Sequence, residues 1–345
     1  MEESNKGPKI VVLGSCAIDF STYSPRLPLP GETLHGTKFV TGFGGKGANQ
    51  CVASVKLGGN ASMICRLGDD HWGTQYKDYL KSTGVDVTHV YITQGVTTGI
   101  AQISVADSGE NQIVIVAGAN NFLSISDVHN ADQLIKDADI LIAQLETPFE
   151  TSLEAFKIIK LLNAAPARKD IQEILPYCSI LCVNEPEASL LVDFSVDNSN
   201  IVKALKALIA TGSETVIITL GENGAAYMTK KDMQAVHVLC DNVVPVDTTG
   251  AGDAFVGALA TFLVNKKKDP LHQIIGAACE VATMSVTREG TQSSYPSKHN
   301  AFSKEYKYSI RNIVIVPFMV VPTIVTYTVH GKLRRNAISV YEKCT

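Results

Sequence analysis

Apolar and polar positions follow two rhythms along most of the chain. Residues 9–14 form a short apolar run closed by glycine, the pattern of a buried strand. Beyond the glycine-rich turn at 42–47, Ala48, Cys51, Val52 and Val55 recur at helical spacing, and Gly58 stands where a helix stop belongs. A strand over 62–67 and a helix over 73–81 follow. The alternation resumes with a strand at 139–144, a helix at 151–159, a strand at 180–183, helices at 185–191 and 201–210, and a strand at 214–220. Residues 254–264 are apolar almost throughout, which predicts a buried helix. Strands alternating with helices imply an α/β fold, a doubly wound and mostly parallel sheet flanked by helices.

Two stretches keep a different period. Residues 32–41 and 97–117 alternate apolar with polar side chains, and Asp107-Ser108-Gly109-Glu110 supplies a turn inside the second. They predict antiparallel hairpins projecting from the α/β body, a small β lid.

The densest chemistry lies in Val246-Asp247-Thr248-Thr249-Gly250-Ala251-Gly252-Asp253-Ala254-Phe255. An extended segment there feeds a helix N-terminus, whose first N–H groups lack intrahelical partners and whose dipole favours an anion. Glycines at 250 and 252 allow a phosphate to approach the backbone. A carboxylate at 253 beside a phosphate suits a general base that takes a proton from an attacking hydroxyl; the same residue would also serve as an ordinary helix cap.

A second glycine-rich turn, Gly42-Phe43-Gly44-Gly45-Lys46-Gly47-Ala48-Asn49-Gln50, precedes it by about two hundred residues. Its Gly42, Gly44 and Gly47 also satisfy the dinucleotide pattern, with Asp69 and Asp70 about twenty residues on. Against that reading, the turn follows the second extended segment, and Lys46 and Asn49 offer hydroxyl-binding groups that a pyrophosphate loop does not need. A Walker A loop is excluded, since no Gly-Lys-Ser/Thr occurs in the turn.

Together the two runs resemble the DTxGAGD and FGGKGANQ signatures of the ribokinase-type (PfkB) carbohydrate kinases, and the resemblance covers residues 9–298. It implies an ATP-dependent sugar kinase with Asp253 as catalytic base, D-ribose phosphorylated at its 5-hydroxyl being the expected reaction. Fructose, deoxyribose or a nucleoside are the alternative substrates, and a lapsed sugar-binding protein the alternative of another class. Ala17, Asp19, Gly45, Lys46, Gly47, Ala48, Asn49, Glu146 and Asp253 would hold the sugar; many members carry Asn where this chain has Ala17. By residues alone, Asp19 sits in the loop past the first strand. Asn184, the loop Thr219-Leu220-Gly221-Glu222-Asn223-Gly224, and Gly250, Ala251, Gly252 and Asp253 would hold the nucleotide. Glu187 would organise Mg2+ through water, which suits an ion that dehydrates reluctantly. Asp247, Thr249, Ser285, Arg288 through its carbonyl, Gly290 and Ser294 would bind K+. The resemblance further implies a homodimer through the lid.

Bulk properties narrow the partners. With 345 residues, 45% of them hydrophobic, and a net charge of -4, the chain suffices for one large core and lacks a basic nucleic-acid surface. Lys266-Lys267-Lys268 reads as a solvated helix end. The polar first six residues lack the apolar stretch of a signal peptide, so a cytoplasmic location is expected, with the nucleus left open. Eight cysteines without a CxxC pair read as reduced and buried. Residues 299–345 form an atypical extension. Its apolar stretch 313–325 carries two prolines and falls short of the ~20 residues of a membrane span, leaving an added β segment, a disordered tail or a gene-model artefact. An appendage without catalytic role is expected. The passage from the helix at 151–159 into Leu161-Leu162-Asn163 is also shorter than the family's usual link.

Overall fold

Side chains in the first strand point alternately to two faces, and each face meets its own layer of helices. Ile10 and Val12 belong to one buried cluster, Val11 and Leu13 to the other. A strand covered on both sides must be apolar at every position, which is why 9–14 reads as a continuous run.

The computed structural model describes residues 7–156 and 161–302, with the backbone of two further strands over 306–316 and 319–329. The end of the helix expected to reach 159, the short link that follows it and residues 330–345 lie outside the described residues. The strands are β1 (Lys9–Leu13), β2 (Ala17–Ser24), β3 (Lys38–Gly44), β4 (Asn60–Gly68), β5 (Asp86–Thr93), β6 (Gly99–Ala106), β7 (Asn111–Val116), β8 (Ile140–Ala143), β9 (Leu161–Asn163), β10 (Ile180–Asn184), β11 (Thr215–Thr219), β12 (Ala225–Thr229), β13 (Ala235–Leu239), β14 (Tyr306–Val316) and β15 (Met319–Val329). The helices are α1 (Lys46–Lys56), α2 (His71–Ser82), α3 (Ile125–Asn130), α4 (Asp132–Lys136), α5 (Phe149–Phe156), α6 (Glu185–Val192), α7 (Ile201–Ala210), α8 (Ala251–Asn265), α9 (Leu271–Ser285) and α10 (Lys298–Phe302).

The main sheet runs β15-β14-β13-β12-β11-β10-β9-β8-β1-β4-β5. From β5 to β11 every pairing is parallel; from β11 to β15 every pairing is antiparallel. Helices α1, α2, α8 and α9 cover one face, and α3 to α7 the other. The chain leaves β1 toward β4 on one side and returns at β8 on the other, so the strand order reverses between β1 and β8. Ligands of open α/β sheets bind at the carboxyl ends of such a switch point. The extension contributes β14 and β15, with Ser309–Ile313 paired to Leu239–Ala235. No helix among the described residues is long and apolar enough to cross a membrane.

A second sheet, ordered β3-β2-β6-β7, forms the lid. Its outer pairings are antiparallel and its central one, β2 with β6, is parallel. Two details differ from the sequence expectation. Asp19 lies on the lid strand β2, opposite Gly42 and Ala101, rather than in a loop. The strand expected over 32–41 begins at Lys38 and runs to Gly44, because its pairing with β2 continues into the glycine-rich turn.

Candidate active site

Helices α1 and α8 bring the two sequence signatures together. They cross closely at Gly257, where a Cβ would stand 2.5 Å from the Gln50 carbonyl and 2.7 Å from Ala53 Cβ. Ser54 Oγ donates across this crossing to the Gly257 carbonyl at 3.0 Å. One turn earlier, Asn49 Nδ2 donates to Asp253 Oδ2 and Gln50 Nε2 to Asp253 Oδ1, both at 2.9 Å. Asp253 is thereby buried at the third position of α8, with both oxygens accepting amide N–H bonds.

Helix α8 begins at Ala251, earlier than its apolar run suggests, capped by Gly250 in the left-handed region at φ 75°. Tyr295 Oη donates to the Gly250 carbonyl at 3.1 Å and fixes that turn from behind. The segment feeding it is an exposed loop, not a strand: Val244 is 88% exposed. Val246 and Asp247 are held by donating to the Val286 carbonyl at 2.7 and 3.2 Å.

Two cavities meet at this helix start. One, of about 460 Å3, is lined by Ser15, Ala17, Asp19, Gly45, Lys46, Asn49, Asn120, Glu146 and Asp253, with Ala101, Ile103 and Ile113 of the lid above. The other, of about 470 Å3, is lined by Thr219, Gly221, Glu222, Gly224, Ala251 and Gly252, with Val243, Phe255, Cys279, Ala282 and Val286 as an apolar slot. Both sizes fit small-molecule sites. Consecutive residues of one turn thus open on different cavities. Ala251 and Gly252 present the anion-binding helix end to the second, and Asp253 its carboxylate to the first.

Charge in the first cavity is lopsided. Burial, then Glu146 and Asp253, push the Asp19 carboxyl up to about 7. Burial also raises Asp253, against Lys46, Asn49 and Gln50, which favour its ionised form. Desolvation pulls the Lys46 ammonium down, but Asp253, Glu146 and Glu187 together outweigh it and its pKa is raised. Glu146 accepts from Ser15 Oγ at 2.5 Å and from the Lys46 N–H at 3.0 Å, which ties the segment after β8 to the turn after β1 and to the start of α1.

Other expected site residues fall nearby in different ways. Gly47 and Ala48 do not line the cavity: the Ala48 N–H donates to the Ser15 carbonyl, and the Ala48 side chain is wholly buried. They hold the turn. Leu220, Asn223 and Asn184 do not line the second cavity either; Asn184 caps α6 in a reciprocal pair with Glu187, each bond 2.8 Å. Glu187 is raised by burial first, and Lys46 and Asp253 also act on it. Among the described residues no cluster of three His, Cys, Asp or Glu side chains could hold a metal. The Glu187 carboxylate is nevertheless a hard oxygen donor suited to magnesium reached through water. Asp247 accepts from the N–H groups of Thr249 and Gly290, each at 2.9 Å, and so joins the 247–249 turn to the 285–294 loop. Ser285 and Ser294 are buried there, and the Arg288 N–H donates to the Ser285 carbonyl.

Sequence reasoning did not single out Gln50, Gln144, Asn163, Gln292 or Tyr76 as site groups. Gln50 closes the run GGKGANQ, Gln144 ends the strand expected over 139–144 and Gln292 falls between Gly290 and Ser294, so a glutamine at the edge of a singled-out stretch was the available signal. Asn120 was missed too; its side chain bonds both the N–H and the carbonyl of Cys16, at 2.9 and 2.8 Å.

The description "pfkB family carbohydrate kinase" matches residues 8–298. The ribokinase of Mus musculus is 40% identical over 304 residues, 86% of this chain and 94% of its own. The deoxyribokinase of Salmonella typhi is 38% identical over 298 residues, 84% of this chain and 95% of its own. A solved ribokinase of Arabidopsis thaliana complexed with ribose and ATP is similar with a TM-score of 0.76 at 28% identity, covering 86% of this chain and 97% of that one.

Proposed function

The chain belongs to the pfkB family of carbohydrate kinases, and from that premise we propose that this ATP-dependent sugar kinase phosphorylates D-ribose at its 5-hydroxyl, giving D-ribose 5-phosphate. The observation that carries the reading is the split of one helix turn between two cavities, with Asp253 on one and Ala251 and Gly252 on the other. The sugar hydroxyl gives its proton to Asp253, its oxygen bonds to the terminal phosphorus of ATP, and the bond from that phosphorus to the bridging oxygen breaks to release ADP. The N–H groups at the start of α8 take up the negative charge that develops. Glu187 would hold magnesium through water, and the ion would supply neutralisation of the phosphate oxygens. Asp247, Thr249 and the oxygens of 285–294 would hold potassium, which would supply positive charge that steadies the anion-binding turn.

A sugar, rather than a nucleoside, is supported by the first cavity's lining. Among the described residues its polar groups are hydroxyl-binding and its apolar ones aliphatic, with no aromatic platform for a base. Ribose over 2-deoxyribose rests on the resemblance to the mouse ribokinase, and the deoxyribokinase similarity makes 2-deoxyribose the competitor to include. The lid's outer strands support a homodimer, since Phe39 on β3 and Ile113 to Val116 on β7 are 52% to 65% exposed.

An ADP-release assay over ribose, 2-deoxyribose, fructose and adenosine tests the substrate, with ribose expected to give the highest kcat/KM. Asp253→Asn is expected to cut turnover by at least ~10²-fold while sugar affinity is kept. Near-normal turnover in that variant removes the base assignment. No turnover by the folded wild-type protein on any substrate would favour a lapsed sugar-binding protein.

A further inference from the structure

Each oxygen of Asp253 is the end of a separate chain of buried amides, and each chain has a fixed polarity. On one side Gln50 Nε2 donates to both Asp253 Oδ1 and Asn163 Oδ1, each at 2.9 Å. Its Oε1 is occupied by Gln144 Nε2 at 2.6 Å, and Asn163 Nδ2 donates to the Cys182 carbonyl at 3.3 Å. Gln50 therefore has only donors to offer the carboxylate. On the other side Tyr76 Oη donates to the Gly44 carbonyl at 2.5 Å, and Gln292 Nε2 donates to Tyr76 Oη and Asn49 Oδ1, both at 2.8 Å. That leaves Asn49 Nδ2 for Asp253 Oδ2.

We infer that Gln50 and Gln292 are positioning residues that act through Asp253, two amide chains holding its carboxylate ionised and aimed at the sugar hydroxyl. A protonated Asp253 would turn an O–H toward an N–H whose own orientation is locked, so the neutral acid has no satisfied arrangement on the clamped edges. The clamp has work to do. Burial and the neighbouring Glu146 favour the neutral acid, while Lys46 opposes them. Asp19, Glu187 and Tyr295 are the other titratable groups that sense Asp253. Hydrogen bonds from amides to a carboxylate are stronger than neutral ones. The inference rests on Asp253 being the base.

The test is the pH dependence of kcat at saturating ribose in wild type, Gln50→Met, Gln292→Met and Asp253→Asn. Removing either amide moves the acid limb upward by about one unit, so that turnover falls about tenfold near the foot of the limb and little on its plateau. Ribose KM stays close to wild type in Gln50→Met, because Gln50 lines neither cavity. If Gln50→Met does not fold, Gln292→Met gives the same reading from the other oxygen. An unmoved acid limb in folded variants, with Asp253→Asn inactive, overturns the clamp and leaves the base standing. An active Asp253→Asn overturns the base assignment itself.

Discussion

Asp19→Asn offers the most quantitative check on the site's electrostatics. Asp19 is pushed from 3.8 to about 7, first by burial and then by Glu146 and Asp253. Between those values the folded protein holds a proton that the unfolded chain has released. Its contribution to stability is therefore full below pH ~4, is lost as pH rises through about 7, and is level above that. A shift of about three units at 1.36 kcal/mol each sets a ceiling of about 4 kcal/mol on the cost of carrying this charge at pH 8. Water at the cavity mouth lowers that to about 2 kcal/mol. Asn keeps the shape and discards the charge. The substrate-free variant should therefore melt a few degrees above wild type at pH 8, at about 2 °C per kcal/mol for a large domain, and by clearly less near pH 5, where only about a third of the span from 3.8 to about 7 has been crossed. Ribose, whose hydroxyls donate to the ionised form, should narrow the gap and bind wild type more weakly below pH 7. Thermal melts from pH 5 to 9, with and without ribose, read both effects. A variant no more stable than wild type at pH 8, or a difference independent of pH, would refute the reasoning.

Three further outcomes follow from named contacts. Gly250→Ala forces a side chain into the left-handed region, where its Cβ would stand 2.3 Å from Thr291 Cγ2 and 2.7 Å from Tyr295 Oη; kcat should fall and stability should drop by about 1–3 kcal/mol, lowering the melting temperature, and unchanged melts would sink the strain argument. Turnover should be higher in potassium than in sodium-only buffer, and equal rates would remove the cation from the 247–249 turn. Val114→Asp on the exposed outer strand of the lid should convert a dimer to a monomer by light scattering, whereas a wild type already monomeric at assay concentrations would rule out the lid interface.

The fold was legible wherever burial is two-sided or helical. Strand β1, helix α1 with its stop at Gly58, β4, β8, β10, β11 and α7 each carry their period in consecutive residues, so local pattern and final environment agree. The small sheet was only half legible. β6 and β7 are a hairpin with a local turn, but β2 carries Asp19, Ser21 and Thr22 and pairs with β3 and β6, whose partner residues lie 15 to 82 positions downstream. Polar side chains at successive positions break the period of β2, so nothing local announces the strand. Helix α9 contains Gly276, Val281 and Thr283, which weaken a helical reading that packing on α8 restores.

The site divides along the same line. Asp253, Lys46 and the glycines stand out because their chemistry is conspicuous against a helix start or a tight turn. The amides that hold Asp253 do not, because a glutamine in an apolar run is unremarkable until its partner, 113 residues away for Gln50 and Asn163, is known. The reverse also holds. Gly47 and Ala48 lie inside a signature and Asn184 was expected at the nucleotide, yet they brace the turn and cap α6, so a signature marks the shape a site requires as well as the groups that touch its ligands. A carboxylate-rich pocket with one ammonium, Lys46, is costly in the empty protein, and its preorganised charges become favourable when hydroxyls, phosphates and cations arrive together. That cost is what Asp19→Asn should relieve and what substrate binding should use.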